Sequence, residues 1–285
     1  METPLVSAVI ATYNGERYIE RAVKSVLNQN YKNIELIIID DGSNDKTESI
    51  LNTLKNGNPK INIYKNNHNL GFAKSLNLGI EKARGLYIAR LDDDDFWSDL
   101  KKIEKQVNFL QKHHDYVLVG GGMIKVAVSG KEIAKFLFPE QDEEIRKSLL
   151  VDNNFVHSTV LFRKDIFKKV GGYDQRLDFF ADWGLWLKLG KEGKMYNFQD
   201  FFAYYLDKEY DSGYNYRNDA IRRKLFLNIE VRNKYRKDYK GFYRALFLCI
   251  GAYMSSYVPF RSKFWPFFLK IRILFFGAPP YRHFK

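Results

Sequence analysis

The stretch "VSAVIATYNGERYIERAVKSVLNQNYKNIELIIIDDGS", residues 6–43, decides the fold. "VSAVIAT" (6–12) is a short β-branched apolar run, and "YIERAVKSVLNQ" (18–29) repeats apolar residues at Ile19, Ala22, Val23, Val26 and Leu27 with helical spacing. "IELIIIDDGS" (34–43) is a continuously apolar strand that ends in acids and a turn. The alternation continues downstream. "KTESILNTLKN" predicts a helix, "INIYKN" (61–66) a strand, "FAKSLNLGIEKARG" a helix ending at Gly85, and "LYIARLD" a further strand. Strands that are apolar throughout, separated by helices, predict an α/β fold whose mostly parallel sheet is covered on both sides.

Ligands of such sheets bind outside the carboxyl ends of the strands. Tyr13 and Asn14 follow the first strand, Asp40 and Asp41 the second, and Asp92 to Asp95 the fourth, so these polar groups are expected on one edge. Clustered carboxylates there suit a hard divalent ion such as Mg²⁺ or Mn²⁺, which takes oxygen ligands and in turn binds phosphate. The plainer reading of "DDDD" is a solvated turn ahead of a helix at 99–113, with Asp99 near its start. "TYNGER" offers one glycine, where a dinucleotide-binding or P-loop pattern needs several. Diphosphate would then be held by metal and side chains.

The 285 residues, 45% hydrophobic, suffice for one large core or two modest ones. The single cysteine, Cys249, excludes a disulfide framework, and "METPLVSAVIATYNG" has neither a basic n-region nor a long apolar h-region, which predicts a cytoplasmic protein. The net charge of +12 is unevenly placed. Residues 1–213 carry 30 Lys/Arg against 31 Asp/Glu, and residues 214–285 carry 16 against 3. Basic character therefore belongs to the tail.

Three ordered motifs, "SAVIATYNGERYIERAVKSVLNQNYKNIELIIIDDGSNDKT", "NLGFAKSLNLGIEKARGLYIARLDDDD" and "HSTVLFRKDIFKKVGGYDQRLDFFADWGLWLKL", resemble the family 2 nucleotide-sugar glycosyltransferases of the GT-A fold, over about residues 5–205. The resemblance implies an inverting transfer of a sugar from a nucleotide-diphosphate donor, such as a UDP- or GDP-sugar, to a hydroxyl acceptor. It implies that Thr12, Tyr13 and Asn14 border the nucleotide, with Tyr13 packing on the base, and that one of Asp40 and Asp41 meets base N–H groups. Asp92-Asp93-Asp94 would be the D-x-D element, with Asp94 the direct metal ligand, Asp92 holding ribose or metal, and Asp93 on the nucleotide. Transfer to a hydroxyl needs a base. The base is expected at Asp182, in the first turn of a helix that buries Trp183, Trp186, Leu187 and Leu189. The family's Glu-Asp is Ala181-Asp182 here. His157 and Trp183 are expected to face the acceptor, and Gly171 and Gly172 to supply backbone freedom in the turn before it. Where relatives carry Arg and His near the diphosphate, this chain has Leu206 and Asp207, so positive charge would come from Lys208, Arg217 or the metal.

A non-catalytic nucleotide-sugar binding protein would not need both Asp94 and Asp182. A sugar-1-phosphate nucleotidyltransferase would be expected to show a Gly-rich basic loop after the first strand. The division expected is a catalytic domain at 1–213, with nucleotide-sugar binding in 1–97 and the acceptor part in 98–213, and a basic, aromatic-rich helical tail at 214–285. "ALFLCIGAYMSSYV" (245–258) and "FWPFFLKIRILFF" (264–276) fall short of the roughly 20 apolar residues of a spanning helix. Short aromatic segments flanked by cations suit an anionic membrane interface rather than nucleic acid. Peripheral attachment to the inner face of the cell membrane fits a lipid-linked or cell-envelope glycan acceptor. Packing on the catalytic domain or a homodimer contact are the other uses of such a tail.

Overall fold

The computed structural model describes residues 3–177, 180–207, 216–255 and 282–284. Strands β1 (Val6–Thr12) and β2 (Ile34–Asp40) are buried along their whole length and pair in parallel, joined by α1 (Ile19–Leu27). α1 turns Ile19, Ala22, Val23 and Val26 inward, the stripe its spacing predicts. Next come α2 (Thr47–Lys55), β3 (Ile61–Lys65), α3 (Phe72–Lys82) and β4 (Tyr87–Arg90). β3, β2, β1 and β4 lie side by side, all parallel. Helix α3 stops three residues before the expected Gly85, because Ala83 already has extended backbone.

The second half is mixed. It runs through β5 (Phe96–Trp97), α4 (Lys102–Lys112), β6 (Tyr116–Val126), β7 (Glu132–Leu137), α5 (Asp142–Ser148), a 3-10 turn at His157–Thr159 and β8 (Leu161–Arg163). It continues with α6 (Lys164–Lys169), α7 (Ala181–Leu189), β9 (Lys194–Leu206), α8 (Tyr216–Tyr235), α9 (Phe242–Ser255) and β10 (Arg282–Phe284). β8 sits antiparallel between β4 and β6, while β9 runs parallel to β6 and antiparallel to β5. This brings the short β5, directly behind the aspartate run, against the end of β9.

Alternate residues of each strand feed opposite faces, as the pleat requires. Val9, Ile37 and Ile39 join α3 and α7 in one apolar layer, and Ala8, Ile10 and Ile38 join α1 and α4 in the other. The first layer also takes in Val231, Tyr235 and Tyr239. The segment expected to begin a separate unit at 214 is therefore tied into the catalytic core for part of its length. The stretch 264–276 lies outside the described residues. Among the described residues no helix is long and apolar enough to cross a membrane.

Candidate active site

The carboxyl ends of β1, β2 and β4 meet at one edge, where their polar residues form two linked networks. The first holds the loop after β1. Asn14 has φ 54°, a backbone region that is costly for a side-chain-bearing residue and tolerated best by Asn, Asp and Gly. It is held there from both sides: its N–H donates to Ser43 Oγ at 2.9 Å, and its side-chain oxygen accepts from Asn44 N–H at 2.9 Å. Two more bonds tie the loop to residues 45 and 46, Glu16 N–H to Asp45 Oδ2 at 3.1 Å and Lys46 N–H to Glu16 Oε2 at 3.0 Å. Thr12 Oγ1 donates to Asp93 Oδ2 at 2.6 Å, and a Cβ on Gly15 would overlap that hydroxyl. A cleft of about 450 Å³ opens here, lined by Tyr13, Asn14, Tyr18, Asn44, Asp45 and Asp93 among others, with Tyr13 46% exposed.

Asp40 and Asp41 stand behind this cleft, both buried, and their jobs differ. Asp41 accepts from Asn66 Nδ2 at 2.7 Å, Leu70 N–H at 2.9 Å and Gly71 N–H at 3.0 Å, fixing the loop that leads into α3. Asp40 Oδ1 accepts from Ser43 N–H at 2.9 Å, and its Oδ2 is a buried oxygen with no hydrogen-bond partner.

The second network divides the four aspartates by role, which is how the fold tolerates four like charges in a row. Arg90, fully buried in β4, donates to Asp92 Oδ1 at 2.6 Å and to the Val9 carbonyl at 2.9 Å. Burial raises the cost of charge on Asp92, but Arg90, His157 and the Ser158 hydroxyl outweigh it and hold the carboxyl well below the usual range. Asp92, expected as ribose or metal ligand, is thus the counter-ion of a buried arginine. Asp95 is also buried; it accepts from Ser158 Oγ at 2.5 Å and from Leu206 N–H at 3.0 Å, pinning the end of β9 to the run. Burial, then the charges of Asp94 and Asp92, push its pKa up. Asp93 and Asp94 stay partly exposed. Among the described residues no group of three or more His, Cys, Asp or Glu is arranged to hold a metal ion.

His157 links this network to the base candidate. Its Nδ1 is 3.5 Å from Asp92 Oδ1, and its Nε2 shares a 2.8 Å hydrogen bond with Tyr173 O–H. Gly171 and Gly172, at φ 74° and 63°, make the turn that delivers Tyr173. Asp182, in the first turn of α7, accepts from Asn153 Nδ2 at 2.7 Å and from Trp183 N–H at 2.6 Å. Burial is the largest influence on it and raises its pKa; His157 and the two hydrogen bonds pull the other way, Asp92 adds to the rise, and the balance leaves it above the ordinary value.

Trp183 is placed differently from expectation. It is buried in the core, its indole N–H donates to the Leu149 carbonyl at 2.7 Å, and the Arg232 guanidinium of α8 lies 4.6 Å from its ring centre. Lys208 lies outside the described residues, as does the side chain of Arg217. Asp207 is bound to Lys125 at 2.6 Å. Sequence reasoning missed Arg90, Ser158, Tyr173 and Asn153. Arg90 left a signal, since an arginine inside an apolar strand needs an acid partner; the other three are uncharged, Ser158 in the 3-10 turn and Asn153 and Tyr173 outside helices and strands, and residue type alone gives them no role.

A model of glycosyl transferase family 2 matches residues 7–171, more than half of the chain. EpsE of Bacillus subtilis (strain 168), named as a glycosyltransferase, is 36% identical over 227 residues, 78% of this chain and 77% of its own length. An uncharacterized glycosyltransferase of Haemophilus influenzae is 37% identical over 168 residues, 59% of this chain, which spans 66% of that relative. Among solved structures, S. aureus TarS 1-349 in complex with UDP-GlcNAc superposes with TM-score 0.64 at 18% identity, over 95% of this chain and 77% of that one. The mannosyltransferase PcManGT from Pyrobaculum calidifontis, in complex with GDP-Man and Mn²⁺, gives TM-score 0.61 at 16% identity, over 98% and 78%. At these identities the likeness is one of fold, and it is the GT-A arrangement. With the matched stretch running from β1 to the turn that delivers Tyr173, the chain belongs to glycosyl transferase family 2.

Proposed function

We propose that the chain is an inverting hexosyltransferase that moves a sugar from a nucleotide-diphosphate donor to a hydroxyl of a lipid-linked or cell-envelope glycan precursor. The observation that carries this reading is the placement of Asp182 in the first turn of α7, held by Asn153 Nδ2 at 2.7 Å and close enough to His157 and Asp92 to feel their charges, beside the Asp92–Asp95 loop. The neighbours' complexes with UDP-GlcNAc and with GDP-Man and Mn²⁺ support a nucleotide-sugar donor. The base lies over Tyr13, with Thr12, Asn14 and Asp93 shaping the cleft floor. Asp40, whose Oδ2 is unfilled, or Asp41 beside it accepts from a base N–H.

Asp182 takes the acceptor proton as that oxygen attacks the anomeric carbon. The bond from that carbon to the donor's diphosphate breaks with its electron pair leaving on the phosphate oxygen, and the new glycosidic bond forms on the opposite face. Asp94, partly exposed at the mouth of the run, together with donor phosphate oxygens suits one Mg²⁺ or Mn²⁺, since such ions need only one or two carboxylates beside phosphate. That ion would stabilise the leaving diphosphate. The enzyme works at the cytoplasmic face of the membrane, peripheral to it.

A panel of UDP- and GDP-sugars tested with Mn²⁺ or Mg²⁺ for nucleotide release identifies the donor. Asp94→Ala is expected to lose divalent-dependent nucleotide binding in calorimetry while the fold survives. Nucleotide release from no sugar in the panel, with or without acceptor lipid, overturns the reading.

A further inference from the structure

Helix α9 packs one face on α8, and apolar side chains on another face are exposed among the described residues. Tyr243, Phe247, Ile250 and Met254 are 83%, 62%, 41% and 67% exposed. Their spacings of four, three and four residues put them in one narrow stripe. The opposite side faces inward: Ala245 is fully buried, and Cys249 Sγ reaches Asn228 of α8 at 3.6 Å. The helix is 14 residues long with one charge, Arg244, and no acid. The turn that leads into it carries the opposite character, with Arg236, Lys237 and Lys240 all exposed. A stripe of exposed apolar side chains that directly follows a run of exposed cations in the chain is uncommon on a freely soluble protein.

We propose that this stripe and the 236–240 cations form the surface by which the chain docks on an anionic lipid bilayer. Charge selects that occupant. Residues 214–285 hold 16 cations against 3 acids, and such a patch is complementary to anionic headgroups, while the aromatic and aliphatic stripe enters the acyl boundary beside them. The 14 described residues of α9 span about 21 Å, which suits a helix lying in the interface. The docking surface is also fixed to the catalytic helix. Tyr239, between the cations, donates to the Leu187 carbonyl at 2.8 Å, and Arg232 covers Trp183 beside Asp182. Docking through α9 therefore sets the orientation of the Asp182 site relative to the bilayer.

The proposal rests on the membrane-face reading for its purpose, and its test is separate, because binding is measured without donor or acceptor. Full-length protein is mixed with vesicles of phosphatidylcholine alone or of phosphatidylcholine with phosphatidylglycerol, and floated at low and high salt. Binding to the anionic vesicles at low salt, weakened by salt, is expected. The double variant Tyr243→Ser, Met254→Ser, at positions exposed enough to be neutral for folding, should weaken it at least about tenfold. Lys237→Glu, Lys240→Glu should weaken it by at least a similar factor, at roughly fivefold or more per cation, and should lessen the salt dependence. Failure of the full-length protein to float, or equal binding by the wild type and the stripe variant, overturns the proposal. So does a dimer in sedimentation that the stripe variant abolishes, since a second copy would then cover the stripe.

Discussion

A base is useful only if its proton affinity matches its task, and Asp182 is set by five influences, two that raise its pKa and three that lower it. Burial and Asp92 raise its pKa, while His157 and hydrogen bonds from Asn153 and Trp183 restrain the rise. Turnover should therefore fall on the acid side with an apparent pKa above the roughly 3.9 of an ordinary aspartate. A kcat profile against pH, taken with the donor saturating, reads this directly. Asp182→Asn should leave nucleotide affinity unchanged and cut kcat by about 10²- to 10⁴-fold; near-normal turnover would remove the residue from its role. Asp92 behaves in the opposite sense. Its folded pKa is depressed, so its pairing with Arg90 stabilises the fold above the unfolded value and that stability is lost as pH falls through the folded one. Arg90→Met leaves the partly buried Asp92 carboxylate without its counter-ion and should cost up to about 3 kcal/mol. In urea melts the deficit should be full only above the variant's own Asp92 pKa, which burial without Arg90 lifts over the ordinary carboxylate value of about 3.9, and should shrink as pH falls below it. The acids at this edge were legible because strand ends collect ligand groups. What each acid does was not: the signal left by Arg90, two residues from Asp92, was passed over, and Asp95 and Asp41 take their roles from Ser158, Leu206 and Asn66, partners far off in sequence.

At the scale of elements, β1, β2 and β4 and the helices between them follow from periodicity alone, since parallel strands buried on both faces leave an unbroken apolar run, whereas the two-residue β5 at Phe96–Trp97 is too short to mark itself. The tail does not yield so easily. Its cations and aromatics dominate the composition, yet Leu227, Val231, Tyr235 and Tyr239 recur every fourth residue and pack on α7. That stripe was present in the sequence, hidden because Arg232, Lys234 and Arg236 interleave it. Its consequence is that the tail supports the helix carrying Asp182. Tyr239→Phe removes the hydrogen bond to the Leu187 carbonyl while keeping the ring, and should cost about 1 kcal/mol. Hydrogen exchange should report the loss at the carboxyl end of α7 and leave β1 to β4 unchanged. The mixed half of the sheet was also beyond periodicity, because the antiparallel insertion of β8 between β4 and β6 is set by long-range pairing.

For the molecule as a whole, the question is whether a basic tail and an almost neutral catalytic domain behave as two units or one. Their charge contrast suggests two. The packing argues for one: Tyr235 is 5% exposed and lies in the same apolar layer as Val9 and Ile39 of the central sheet, through Leu185 and Leu187 of α7. A residue so placed can melt separately only if the layer splits, which would expose the α7 side chains to water. Calorimetry of the full-length protein should accordingly show the described part of the tail unfolding with the catalytic domain, in one main transition. Tyr235→Ala, which empties an aromatic site in this layer, should cost about 3 kcal/mol and lower that transition by roughly 6–10 °C. A mutant that instead develops a new low-temperature transition, with the main one unmoved, would show that the tail is an appended unit. In that case α9 could not carry the orientation of a bilayer to Asp182.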